Sequence, residues 1–370
     1  VQSFQPESVA YHIPFDFRFD KELSPDALEK ALYALVQRHD ILRTGFEQGE
    51  NGLQQIVHGV VNLPHELVEA GQWTEQNIRA YTQQWAREPF DLTQPPLFKS
   101  KLLRLKNGWA WYLCFHHIAF DHMSIVQFAA DINAAYQRAL INPDSVSLAP
   151  MPLSVVDYAV WQEKHQRIEY MRDKITYWQE AVPDASVHLD LPTDFPRPAV
   201  MTGKGQDYWF EMDEATSNLA RQTAKQCRVS RYLLTMTQLA VVLHRYSKAE
   251  QFLLGTPFAN RSDQAELQNV LGCFMNTLPL PFDFSDKPTF RTLLNRTQQH
   301  FLKIFERQDV PFQQLIETLK PPRDTSHHPL YQVAFMYQDP PMQINLGGAE
   351  GVNQHLHSGS SKFDMTFWLW

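Results

Sequence analysis

Three cysteines in 370 residues, Cys114, Cys227 and Cys273, are too few and too widely spaced for a disulfide framework or a zinc knuckle. Each stands in an apolar context, so reduced thiols in a cytoplasmic protein are expected. Basic runs are missing as well: the net charge is −8 and no Arg/Lys stripe occurs, which argues against nucleic acid as a partner. No apolar run approaches the length of a membrane span. No secretory signal opens the chain, but both ends read like mid-domain sequence, so a piece of a larger protein is expected. The glycosylation patterns at Asn260 and Asn295 are of a kind frequent by chance and count for nothing here.

What remains is a chain that is 44% hydrophobic and long enough for two domains. Ser24-Pro25 signals a helix start, and Leu28, Leu32, Leu35 and Val36 recur at helical spacing through Arg38. Thr74 caps a second helix. Leu97–Leu105 and Trp109–Phe115 read as a hairpin turned at Asn107-Gly108. Ile125, Phe128, Ile132 and Tyr136 mark a further helix. Prolines 183, 192, 196 and 198 punctuate Val182–Gly205, which reads as a crossover between two halves, 1–180 and 181–370. Beyond it, strands are expected at Asp207–Met212, Phe252–Pro257, Leu330–Tyr337 and Lys362–Trp370. Helices are expected after Asp213, after Ser230 and over Phe290–Arg307.

Chemistry concentrates in Phe115-His116-His117-Ile118-Ala119-Phe120-Asp121-His122-Met123-Ser124, at a strand–loop–helix junction. An imidazole at the end of a rigid strand is a common way to present a general base. Side chains alternate along a strand, so His116 and His117 face opposite ways and only one reaches a given pocket. A buried Asp121 needs a cationic partner to keep its charge, and Arg38 and Arg43 are the candidates. A metal site from His116, His117, Asp121 and His122 is not expected, because the two histidines diverge and no supporting cluster is evident. His327-His328, in a proline-rich loop, is expected to be exposed.

His116-His117-x-x-x-Asp121 resembles the HHxxxDG signature of condensation domains in nonribosomal peptide synthetases. Arg38-His39-Asp40-Ile41-Leu42-Arg43-Thr44-Gly45-Phe46 is similar to the family's RHExLRTxF, and Val156–Trp161 to its YxDYAVW. Gly272-Cys273-Phe274-Met275-Asn276-Thr277-Leu278 resembles GxFVNTL, Arg307–Phe312 resembles HQDxPFE, and Arg323–Leu330 resembles RDxSRNPL. The blocks occur in the family's order across nearly the whole chain. One position departs: His122 replaces the signature glycine.

The resemblance implies an α/β (α+β) fold of two chloramphenicol-acetyltransferase-like subdomains in a V-shaped pseudo-dimer with a central tunnel. It implies no intrinsic cofactor; substrates would arrive on the 4'-phosphopantetheine of donor and acceptor carrier proteins, with adjacent synthetase domains as further partners. His117 would be catalytic. His116 and Asp121 would be structural, with Asp121 pairing Arg38 or Arg43. His122, Ser124 and Asn276 would line the tunnel or lie near the reaction centre, although Asn276 reads equally well as a backbone-capping amide. The implied reaction joins a thioester donor to an amine acceptor as an amide. Ester formation with an alcohol acceptor, or a non-catalytic module that recruits a partner protein, are the alternatives.

Overall fold

The structure is a computed structural model that describes residues 8–50, 52–165, 168–182, 184–261, 265–337, 343–354 and 356–370. Strand β1 (His12–Phe19) precedes helix α1 (Pro25–Arg38). Ser24 caps that helix by accepting the Ala27 N–H, and Pro25 takes the first turn, where no intrahelical N–H is needed. Strands β2 (Thr44–Gly49) and β3 (Gly52–Val57) form a ribbon, and β4 (His65–Glu69) follows. Helix α2 (Glu75–Ala86) starts with a capping box between Thr74 and Asn77. Strands β5 (Phe98–Arg104) and β6 (Trp109–His116) make the expected hairpin. At its turn Gly108 has φ of +90°, and a Cβ there would collide with the Phe19 carbonyl oxygen.

Helices α3 (Ser124–Ile141), α4 (Val155–His165) and α5 (Ile168–Ala181) come next, and α6 (Glu214–Cys227) follows the proline-rich stretch. Then come α7 (Arg231–Ser247), β7 (Gln251–Phe258), β8 (Asn276–Asp283), α8 (Phe290–Phe305) and α9 (Phe312–Leu319). Strands β9 (Val333–Tyr337), β10 (Gln343–Leu346), β11 (Ala349–Asn353) and β12 (Met365–Leu369) complete the order. Asp213 and Ser230 cap α6 and α7 as their sequence positions predict.

The chain folds as two compact units. One comprises Val1–Lys164, Arg261–Phe274 and Pro340–Ser360; the other comprises His165–Asn260, Met275–Asp339 and Ser361–Trp370. This differs from a cut between 180 and 181. Helix α5 belongs to the second unit, where Trp178 is fully buried in its core. Two later segments return to the first unit, because β10 and β11 complete its sheet and Arg261 is anchored within it.

The first unit holds a sheet ordered β10-β11-β1-β6-β5-β4, antiparallel except between β4 and β5. All eight residues of β6 are buried, as in a strand covered on both faces. Trp111, Leu113 and Phe115 face Leu28, Leu32 and Leu35 of α1 and Phe128 and Ile132 of α3. On the opposite face Ala110, Tyr112 and Cys114 pack with Ile78 and Trp85 of α2. The second unit holds a sheet ordered β12-β9-β7-β8, with β9 parallel to both neighbours. Its core includes Leu254, Leu280, Leu293, Ile304, Val333 and Phe335. Each unit is a mixed sheet with helices packed on it, the α/β class implied by the motifs.

One local expectation fails. Asp207–Met212 forms no strand; Tyr208 is 87% exposed and Phe210 71%, so the aromatic alternation there is not buried against a core. Helices α4 and α5 had no clear sequence signal.

Candidate active site

Strand β6 pairs with β1 so that His116 stands opposite His12. The His116 N–H donates to the Leu97 carbonyl at 2.9 Å, continuing the sheet toward β5. Its ring is buried among Tyr11, His12 and Phe90, with centroids 6.0–6.3 Å away, and Nδ1 accepts the Ile118 N–H at 3.1 Å. That bond starts the turn that takes the chain out of the sheet. His117, the next residue, is half-buried. Its N–H donates to the Tyr11 carbonyl at 2.7 Å, and its Nδ1 lies 3.7 Å from the thiol sulfur of Cys273. The strand ends at His116 and His117 lies in the turn, so the two imidazoles differ in setting: one is enclosed, the other reachable.

Asp121 is 1% exposed, and its carboxylate is the hub of the loop. Oδ1 accepts the Ser124 N–H at 2.9 Å, the Ser124 hydroxyl at 2.8 Å and Arg261 Nη2 at 2.9 Å. Oδ2 accepts Arg261 Nη2 at 3.1 Å and the Phe274 N–H at 3.0 Å. Arg261 is also 1% exposed; its Nη1 reaches the Leu267 and Val270 carbonyls, and its guanidinium lies 4.1 Å from the Phe274 ring centre. A buried ion pair with this many supporting hydrogen bonds meets the condition under which burial of charge is tolerated. The Ser124 hydroxyl also contacts both the Gly272 N–H, at 3.0 Å, and its carbonyl, at 2.9 Å. A Cβ on Gly272 would stand 2.8 Å from the Phe274 ring and 3.2 Å from Val155, so glycine permits this close approach. Through these bonds segment 272–274 is fastened to the histidine loop, and Cys273, between the two anchor points, is held beside His117.

The pairing of Asp121 with Arg38 or Arg43 is thereby corrected. Arg38 sits 3.4 Å from Asp131, which His39 also contacts, at 2.8 Å. Burial alone would raise the Asp131 pKa, but hydrogen bonds from His39 and Gln127 and the charges of His39 and Arg38 hold it below the usual carboxylate value. Arg43 pairs with Asp40, three residues away, and donates to the His58 carbonyl. Each arginine has a nearer acid than Asp121. Ser124, expected to line a substrate path, is instead fully buried and serves the Asp121 lock. Asn276 lies in the second unit, where its amide donates to the Gln308 and Val310 carbonyls at 3.0 and 2.6 Å; this is the backbone-capping role. His122 is exposed. His328 is not exposed: it packs against Phe312, Tyr331 and Phe363, and burial pushes its pKa down to about 4. Cys273 is exposed, against its apolar sequence context.

Three residues of the site escaped the sequence reading. Arg261 gave one signal, an arginine three positions beyond the end of an apolar strand. Cys273 lay inside a quoted block but drew no role. Tyr11 gave none; its hydroxyl pKa is raised, first by burial and then by the nearby Cys273 charge. Among the described residues, no group of three or more His, Cys, Asp and Glu stands close enough to hold a metal ion.

The chain matches the family model described as Condensation domain over residues 1–367. It is similar to a linear gramicidin synthase of Brevibacillus parabrevis, at 33% identity over 382 residues, covering 99% of this chain and 7% of that protein. It thus spans only a small part of the curated relatives it matches. Among solved structures it is similar to the X-domain from teicoplanin biosynthesis, with a TM-score of 0.88 and 26% identity over 98% of this chain and 81% of that one. The X-domain in complex with OxyB, also from teicoplanin biosynthesis, aligns with a TM-score of 0.86 and 26% identity over 97% of this chain and 79% of that one. With its signature loop assembled around Asp121 and a family match along nearly its full length, the chain belongs to the condensation domain family.

Proposed function

We propose that this chain joins a carrier-bound acyl or peptidyl thioester to the amine of a second carrier-bound substrate, forming an amide in nonribosomal peptide or hybrid polyketide–peptide assembly. Donor and acceptor carrier domains are its partners, and neighbouring synthetase domains supply them. The observation behind this reading is the accessibility of His117. Of the signature's three ionisable groups, His116 and Asp121 are buried and committed to the loop, and His117 alone is half-exposed. An imidazole, with a free pKa of about 6.5, is suited to take the proton of an attacking amine near neutral pH. The thioester is already activated, so the larger requirement is holding two tethered reactants together, which contributes roughly 7–11 kcal/mol when the geometry is right. The amine nitrogen attacks the thioester carbonyl, His117 takes the amine proton, and collapse of the tetrahedral intermediate releases the pantetheine thiol. The same base serves an alcohol acceptor, which gives the ester variant.

The test is reconstitution with both substrates loaded on carrier proteins and product read by mass spectrometry. His117→Ala should lose most of the turnover. Equal yields from wild type and His117→Ala with a working substrate pair would refute the catalytic reading. The likeness to an X-domain solved together with OxyB favours one second reading, a non-catalytic module that binds a partner protein. Absence of product from wild type, under conditions where an established condensation domain turns over the same pair, would select it.

A further inference from the structure

We propose that Cys273 is a covalent modification site: its thiol, activated by His117, takes up a pantetheine group from a pantetheine disulfide and so caps the imidazole. Cys273 is exposed, and its sulfur is 3.7 Å from His117 Nδ1. A thiol becomes a nucleophile as the thiolate, and an adjacent imidazole that accepts its proton favours that form. The thiol is also held in place. The backbone on one side of it is fixed by Gly272 to the Ser124 hydroxyl, and on the other by the Phe274 N–H to Asp121. The other two cysteines lack this setting. Cys114 is fully buried, and burial pushes its pKa up to about 12. Cys227 is half-buried at the end of α6, in an apolar cluster with Ala224, Leu234 and Leu294.

In the reaction His117 Nδ1 takes the Cys273 proton and the thiolate attacks one sulfur of the disulfide. The new S–S bond forms as the old one breaks, and the second pantetheine leaves as a thiolate that regains a proton. The protein thiol is oxidised, the departing half is reduced, and no further oxidant enters. The choice of pantetheine rests on the condensation reading, in which a pantetheine chain is delivered to His117. A cap on Cys273 would occupy that same place.

The experiment follows adducts by peptide mass spectrometry, using iodoacetamide and pantethine on wild type, His117→Ala, His117→Gln and Cys273→Ser. Cys273 should label about tenfold faster than Cys227. Both His117 variants should lose most of that advantage while Cys227 labels as before, which also controls for folding. Pantethine-treated wild type should stop making amide and recover with dithiothreitol; treated Cys273→Ser should match its own untreated rate. Equal labelling of Cys273 and Cys227, or undiminished labelling of Cys273 in both His117 variants, overturns the thiol–imidazole pairing. Full turnover by protein with Cys273 quantitatively capped overturns the cap. If untreated protein makes no amide at all, the condensation reading fails, and the labelling rates still decide whether Cys273 is activated.

Discussion

Asp121→Ala removes the acceptor that holds three stretches of chain together. The substitution leaves Arg261 as a cation that is 1% exposed, with the carbonyls of Leu267, Val270 and Gly272 and the Ser124 hydroxyl as remaining partners. Breaking a buried ion pair by deleting one side costs about 3–5 kcal/mol. The Phe274 N–H also loses its acceptor, a loss of about 1–3 kcal/mol if that donor stays dry. The three carbonyls soften the first cost, so the net expectation is about 4 kcal/mol. At a urea slope of about 3 kcal/mol/M the unfolding midpoint drops by roughly 1.3 M. Hydrogen exchange adds a local readout: amides of 265–274 should lose protection before those of β6. Arg261→Met combined with Asp121→Ala should recover part of the loss, because the stranded charge is gone and the two sites are directly coupled. A soluble Asp121→Ala protein with a wild-type midpoint, unchanged exchange and no turnover would refute the structural role and place the carboxylate in the chemistry.

Three other substitutions probe separate parts of the site. His122→Gly should shift acceptor preference in competition assays while changing stability by no more than about 0.5 kcal/mol, since His122 is exposed; an unchanged acceptor profile would separate His122 from substrate. Asp131→Asn should flatten the acid side of the stability curve. The folded pKa of Asp131 lies below its ordinary value of 3.8, so its stabilisation is complete above that value and is lost as pH falls through the lowered one. Urea midpoints from pH 5 down to pH 2.5 that fall equally steeply in wild type and variant would contradict this assignment. Gly272→Ala should destabilise by about 1–3 kcal/mol through its contacts with the Phe274 ring and Val155; a neutral result in thermal unfolding would show that those neighbours yield without cost.

What the sequence disclosed was local. Ser24, Thr74, Asp213 and Ser230 each announce a helix start because a cap acts within three residues of itself. The hairpin before His116 was readable because Asn107-Gly108 meets a backbone demand at that very turn. Helix α4 was not readable: none of its residues is buried, so no apolar stripe marks it. The Asp121 partner was unreadable for a different reason. Arg261 lies 140 positions away, and charge alone does not choose between it, Arg38 and Arg43. The choice follows from where β7 ends and which acids stand nearer the other two arginines, and both are consequences of the fold.

That misassigned pair bears on how the histidine works. In a serine-protease-type triad an aspartate orients the imidazole and stabilises its protonated form. Asp121 is not arranged for that task. A carboxylate offers about four lone-pair sites, and here two bonds from Arg261, two from Ser124 and one from the Phe274 N–H converge on them. The carboxylate's charge is answered by Arg261 and its geometry by the loop, which leaves no capacity for His117. The imidazole is instead positioned by its own backbone bond to Tyr11 and by the neighbour that the Asp121 lock sets beside it, Cys273. In the proposed reaction such a base would suit an acyl donor that is already a thioester: it would remove one proton from an amine and need no carboxylate behind it to activate a reluctant nucleophile. The aspartate of the signature acts one step back, by fixing the loop beside which His117, the proposed base, stands.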